Sequence, residues 1–145
     1  DTGTHPQKPG EREKRMDLVR LARDAGMAAL ADRWLPPMVH PDRGADETLI
    51  GPLREMVMRA TPEVFAGQVL ALLGRPDAVP LLPTIMVPTL VGVGAQDQWS
   101  PPEQHEEMAA AIPGATLAVF EDSGHMSTVE NPGAVSQALR DWLKK

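Results

Sequence analysis

The stretch IMVPTLVGVG, residues 85–94, is a continuous apolar run rich in β-branched side chains. Such a run suits a parallel strand buried on both faces rather than an alternating, half-exposed one. Just beyond it, Ser100, Pro101 and Glu103 stand where the N-cap, first helical residue and N3 partner of a capping box belong. That helix is expected to pass through Met108 and Ile112 and to stop at Pro113-Gly114. ATLAVFE, residues 115–121, then reads as a second strand. Strand, helix and strand within roughly 35 residues form a βαβ unit, which requires parallel pairing. Asn131-Pro132 opens a last helix whose Val135, Leu139, Trp142 and Leu143 make one apolar stripe.

Toward the amino terminus the texture changes. Residues 10–75 carry a helical period and no convincing strand. Leu18, Leu21, Ala22, Ala25 and Ala29 fall on one face, and Leu49, Leu53, Met56, Val57 and Ala60 repeat that spacing. Pro52 is expected to break the second segment or to start a new helix. Thr61-Pro62 reads as cap and first residue of a further helix through Phe65, Val69, Leu72 and Leu73, with Gly74 as its stop. WLPPMVHPDRG, residues 34–44, is a proline-rich connection. Met16, Met27, Met38, Met56 and Met58 read as adaptable packing rather than as a cofactor box. The chain thus divides into a helical region, 1–83, and a βαβ-α region, 84–145: an α/β architecture, helix-rich, with an incomplete parallel sheet.

Composition narrows the function. The 145 residues carry 14 basic and 20 acidic side chains, a net charge of −6, and no basic stripe able to displace phosphate counterions, which argues against a nucleic-acid partner. No cysteine is present, so disulfides and thiolate metal sites are excluded and a cytoplasmic setting is expected. No apolar run approaches the roughly 20 residues of a membrane span, and no membrane partner is expected. Gly92 and Gly94 begin a dinucleotide-type G-x-G, but Asp97 occupies the place of the third glycine, where a carboxylate would repel a pyrophosphate. HEEMA, from His105, lacks the second histidine of a zincin helix, and His5, His40 and His105 show no ligand spacing. No metal or cofactor is expected.

Two polar groups remain at informative places. Asp97 follows the first strand and His125 follows the second, in DSGHMSTVENP, residues 122–132. In an open parallel sheet the loops at the carboxyl ends of the strands surround the reactive crevice. If the strands are neighbours, these loops bring carboxylate and imidazole together, with Nδ1–H on Asp97 and Nε2 free as a base. Gly124 is expected to let the backbone turn tightly. The plainer alternative is that Asp97 only bonds its own following turn.

Residues 88–143, PTLVGVGAQDQWSPPEQHEEMAAAIPGATLAVFEDSGHMSTVENPGAVSQALRDWL, closely resemble the last third of an α/β-hydrolase of the esterase and enol-lactonase-like group. The strand ending in G-x-x-D before a proline-capped helix, the IPGA connection and G-H before E-x-P carry the resemblance. The helical region resembles that group's cap, RPDAVPLL its link to the sheet, and DTGT the end of the strand before the cap. The resemblance implies acyl transfer by a serine on a G-x-S-x-G elbow, with the chain order nucleophile, acid, histidine. It assigns the acid to Asp97 and the base to His125, with Asp1 as the alternative acid; Glu121 and Asp122 are expected to shape the turn.

None of Ser100, Ser123, Ser127 or Ser136 stands in such an elbow, and all follow Asp97. The nucleophile is therefore expected upstream, on polypeptide outside this chain. The expectation is a carboxy-terminal half, inactive alone, acting on small esters or lactones when completed. Its partner would be the amino-terminal half, or a second copy meeting it through the open sheet edge. Val87, Leu90, Val91 and Val93 are expected to lie against that partner. Trp34 and Trp99 read as core or as pocket wall. The competing reading is a non-catalytic piece that only assembles with another chain.

Overall fold

The computed structural model describes residues 3–144, and these fall into two compact units. The first comprises His5–Pro36 and Ala45–Asp77 and is wholly helical. It holds α1 (Glu11–Trp34), α2 (Glu47–Met58) and α3 (Pro62–Leu73), with α1 packed on the other two. Gly26 interrupts α1 at φ 87°, a left-handed conformation open mainly to glycine. The break resets the helical phase. Val19 and Ala22 are buried before it and Met27, Leu30 and Ala31 after it, whereas Ala25, expected on the inner face, is exposed.

Pro52 does not break α2. Asp46 caps the helix by accepting from the Thr48 amide at 3.0 Å, and Ile50, Leu53 and Val57 bury its inner face. Pro52 follows Gly51, which has no β-carbon for the proline ring to strike, so the usual penalty on the preceding residue is relieved. Thr61 caps α3 as expected, accepting from Val64 at 3.3 Å, and Gly74 closes it. The Trp34 ring meets Phe65 edge-on at 5.6 Å. Arg75 ties the ends of the unit together through both Glu11 carboxylate oxygens and the carbonyls of His5, Pro6 and Leu72.

Of the described residues, the second unit takes in 3–4, Pro37–Gly44 and 78–144. The division thus differs from a boundary at 83/84. The Thr4 carbonyl accepts from Ala78, and Met38 accepts from Met126 at 3.1 Å. Leu82, in the short 3-10 stretch Val79–Thr84, joins Val91, Met108 and Ile112 in one apolar cluster. The unit's strands are β1 (Leu90–Gly94) and β2 (Thr116–Phe120), parallel, with Leu90 opposite Thr116 and Gly94 opposite Phe120. Between them runs α4 (Pro102–Ala111), and after β2 come α5 (Ser127–Glu130) and α6 (Pro132–Trp142). Residues 85–89 lie outside the strand: Pro88 lacks the N–H a ladder needs. The short α5 carried no signal in the sequence.

Two further expectations change. Val91 and Val93 are buried within this chain, while Val87, outside the strand, is 65% exposed. The α6 stripe is largely uncovered: none of its residues is buried, and Leu143 just beyond it is 74% exposed. DTGT contributes no strand at Gly3 or Thr4; Asp1 and Thr2 lie outside the described residues. No single helix among the described residues is long and apolar enough to cross a membrane.

Candidate active site at the strand ends

The two loops that leave β1 and β2 are laced together before they reach Asp97 and His125. Ala95 donates to the Phe120 carbonyl at 2.9 Å, extending the ladder one step past the strands. Gln96 then makes a double link: its amide donates to the Ser123 carbonyl at 2.9 Å and its side-chain oxygen accepts from the Ser123 amide at 3.0 Å. Asp122, at φ 54°, turns the chain sharply, and the Glu121 carbonyl accepts from the Ser123 hydroxyl and from the Asn131 amide group. This bears out Glu121 and Asp122 as residues that shape the turn.

Glycines in β1 and in the histidine turn serve close approach. A β-carbon on Gly92 would meet the Phe120 ring at 3.0 Å. One on Gly94 would collide with the carbonyl oxygens of Ser123 and Gly124. One on Gly124 would sit 2.5 Å from the Val39 carbonyl carbon. Gly124 has no left-handed φ, so its expected role in a tight turn is replaced by backbone-on-backbone packing. In the G-x-G of β1, Gly94 has the same explanation, while Gly92 makes room for the Phe120 ring.

These constraints bring Asp97 and His125 into contact. Asp97 is 3% exposed, and its Oδ2 lies 2.8 Å from His125 Nδ1. The other oxygen, Oδ1, accepts from the amides of Trp99 at 2.8 Å and Ser100 at 2.9 Å. The carboxylate therefore does both things considered from sequence: it bonds its own turn and it holds the histidine. Burial by itself would raise the Asp97 carboxyl, but the His125 bond and the Ser100 and Trp99 amides outweigh it and hold it below the usual carboxylate range. An ionised carboxylate can only accept, so Nδ1 carries a proton, and in the neutral ring Nε2 keeps a free lone pair. That pair can take a proton from a hydroxyl placed against it and return it to a leaving oxygen.

The turn at Asp97 alters the helix start. With the Ser100 amide given to Asp97, α4 begins one residue later, at Pro102, with Pro101 as its cap and no side-chain cap bond; the expected capping box does not form. Asn131 does cap α6, accepting from Ala134 at 3.2 Å.

Two participants escaped the sequence reading. Glu130, 8% exposed, reaches back to accept from the Gly124 amide at 2.8 Å and the His40 amide at 2.6 Å. The segment Met38–Arg43 flanks the histidine turn, with Arg43 donating to the Glu130 carbonyl at 3.0 Å. Apart from these two, His105, 1% exposed on α4, lies 3.2 Å from the Pro101 carbonyl through Nδ1, and burial lowers its pKa. The E-x-P spacing was the only available signal for Glu130, and it says nothing about which amides the side chain finds.

Residues 5–138 match the model of the alpha/beta hydrolase family. Among curated proteins, 3-oxoadipate enol-lactonase 2 of Acinetobacter baylyi is 29% identical over 142 residues, 95% of this chain and 51% of that protein. Among solved structures, a thermophilic esterase from Thermogutta terrifontis superposes with a TM-score of 0.87 at 35% identity, over 97% of this chain and 52% of that one. The enol-lactonase from Burkholderia xenovorans LB400 gives 0.85 at 30% identity, over 99% and 54%. The chain spans about half the length of these relatives.

Proposed function

This chain belongs to the alpha/beta hydrolase family, and from that premise we propose that it supplies the acid and the base of a Ser-His-Asp relay acting on small carboxylic esters or lactones. The observation that carries the reading is the 2.8 Å bond from Asp97 to His125 Nδ1, made by loops at the carboxyl ends of adjacent parallel strands. The curated enol-lactonase and the thermophilic esterase among its relatives supply the substrate class.

In this reading Nε2 of His125 accepts the proton of a serine hydroxyl as that oxygen attacks the ester carbonyl carbon. Asp97 stays ionised, fixes the tautomer and stabilises the imidazolium. The imidazolium then gives the proton to the departing alkoxide oxygen as the acyl-oxygen bond breaks. Water repeats the sequence to release the acid. In the family's order the serine precedes the acid, so it lies upstream of Asp97 and outside these 145 residues. The helical unit acts as the lid.

The partner is the amino-terminal half, with a second copy of this chain as the alternative. What supports a partner is apolar surface that this chain leaves open: Met86, Val87, Val119, Leu139 and Leu143 are all exposed, 42% or more. Light scattering of this chain at micromolar concentration should show association; a well-behaved monomer contradicts it. A generic aryl ester tests the chemistry. Hydrolysis that arises only when the amino-terminal half is added, and disappears in His125→Ala, is the expected result. No hydrolysis in any combination favours a non-catalytic assembly piece.

A further inference from the structure

The amides on either side of His125 are both pinned. Gly124 N–H donates to Glu130 Oε2 at 2.8 Å and Met126 N–H donates to the Met38 carbonyl at 3.1 Å. The other Glu130 oxygen accepts from His40 at 2.6 Å, and the Glu130 carbonyl accepts from Arg43 at 3.0 Å. One carboxylate therefore joins the histidine turn to the 38–43 segment where Gly124 leaves no space for a β-carbon. Glu130 is 8% exposed, so water offers little replacement for these bonds.

We propose that Glu130 is a positioning residue for His125: by holding the Gly124 and His40 amides on one carboxylate, it fixes the backbone from which the imidazole reaches Asp97. The inference rests on the reading of His125 as general base, but the geometry it claims exists without the reaction. A glutamine is the discriminating substitution. It has the same shape but a single acceptor oxygen, so its NH2 must face one of the two amides, donor against donor.

The test is proton NMR of this chain with labelled histidine, following the hydrogen-bonded Nδ1–H of His125. Glu130→Gln is expected to lose or broaden that resonance while helix content and cooperative unfolding persist. Asn131→Ala, which removes the neighbouring helix cap and the bond to the Glu121 carbonyl but neither of the amide bonds to Glu130, should keep it. An unchanged resonance in Glu130→Gln overturns the inference. If Glu130→Gln does not fold, hydrogen exchange of the unaltered chain decides: Gly124 and His40 amides should exchange as slowly as strand amides, and exchange at the rate of exposed loops overturns it. In the enzyme completed by its amino-terminal half, Glu130→Gln should lower kcat by about 10- to 100-fold with KM little changed. A lost resonance with no activity in the unaltered pair would sink the functional reading and leave the positioning role standing.

Discussion

Gly94 and Gly124 pass each other backbone to backbone: a β-carbon on Gly94 would collide with the Gly124 carbonyl oxygen. The obstacle is main chain on both sides, so no side-chain rotation can relieve it. Gly94→Ala should therefore destabilise by about 1–3 kcal/mol or more and displace the His125 turn. Gly133, in the first turn of α6 with nothing within 4 Å of an added β-carbon, is the control. Gly133→Ala should be neutral or stabilising by up to about 1 kcal/mol. Urea unfolding midpoints compare the two, and equal effects would remove the packing account.

Arg75 sets how the helical unit responds to acid. Its bond to Glu11, helped by the Lys8 amide and Arg15, lowers that carboxyl from 4.5 to about 2. A carboxylate depressed in the folded state stabilises fully above its unfolded pKa and loses that contribution as pH falls through the folded value. Stability should accordingly decline between pH 4.5 and 2. Arg75→Gln should cost about 1–3 kcal/mol at neutral pH and flatten that decline. Thermal melts across the range are the measurement; an unchanged acid slope in Arg75→Gln would be the contrary result.

His105 gives a second pH dependence of a different kind. Burial lowers its pKa, so the unfolded chain binds the proton more readily than the folded one. Stability is then highest with the ring neutral and falls as pH drops below the ordinary imidazole value of about 6.5, until the folded ring also protonates. His105→Asn should be less stable at neutral pH but should lose less on going to pH 5, measured by urea titration at both pH values. If both chains lose equally, the dependence lies elsewhere.

The parts of this molecule legible in the sequence are those written in local chemistry. Thr61-Pro62 and Asn131-Pro132 announce helix starts because a cap needs only its own next turn. The apolar runs announce two parallel strands, and Asp97 and His125 follow from being the polar groups just past their ends. What stayed hidden depends on distant segments. Pro52 sits inside α2 because Gly51 and buried neighbours tolerate it, and Gly26 breaks α1 where the period showed one continuous face. Glu130 bonds an amide 90 residues away at His40, a relationship no spacing encodes.

Asp97→Asn carries the sharpest expectation for the site. Its Oδ1 accepts two amides, from Trp99 and Ser100, and those donors accept no substitute for an oxygen. An asparagine must keep its single carbonyl oxygen there, which turns its NH2 toward His125 Nδ1. That nitrogen can then no longer carry the proton, and the imidazole adopts the tautomer protonated on Nε2. In the proposed relay, a ring protonated on Nε2 cannot accept the serine proton. In the completed hydrolase, kcat for an aryl ester should therefore fall on the order of 10⁴-fold, with KM much less affected. NMR of the labelled histidine should show the exchangeable proton moving from Nδ1 to Nε2 in Asp97→Asn. Retention of the Nδ1–H tautomer together with near-normal kcat would mean that Asp97 serves only its own turn.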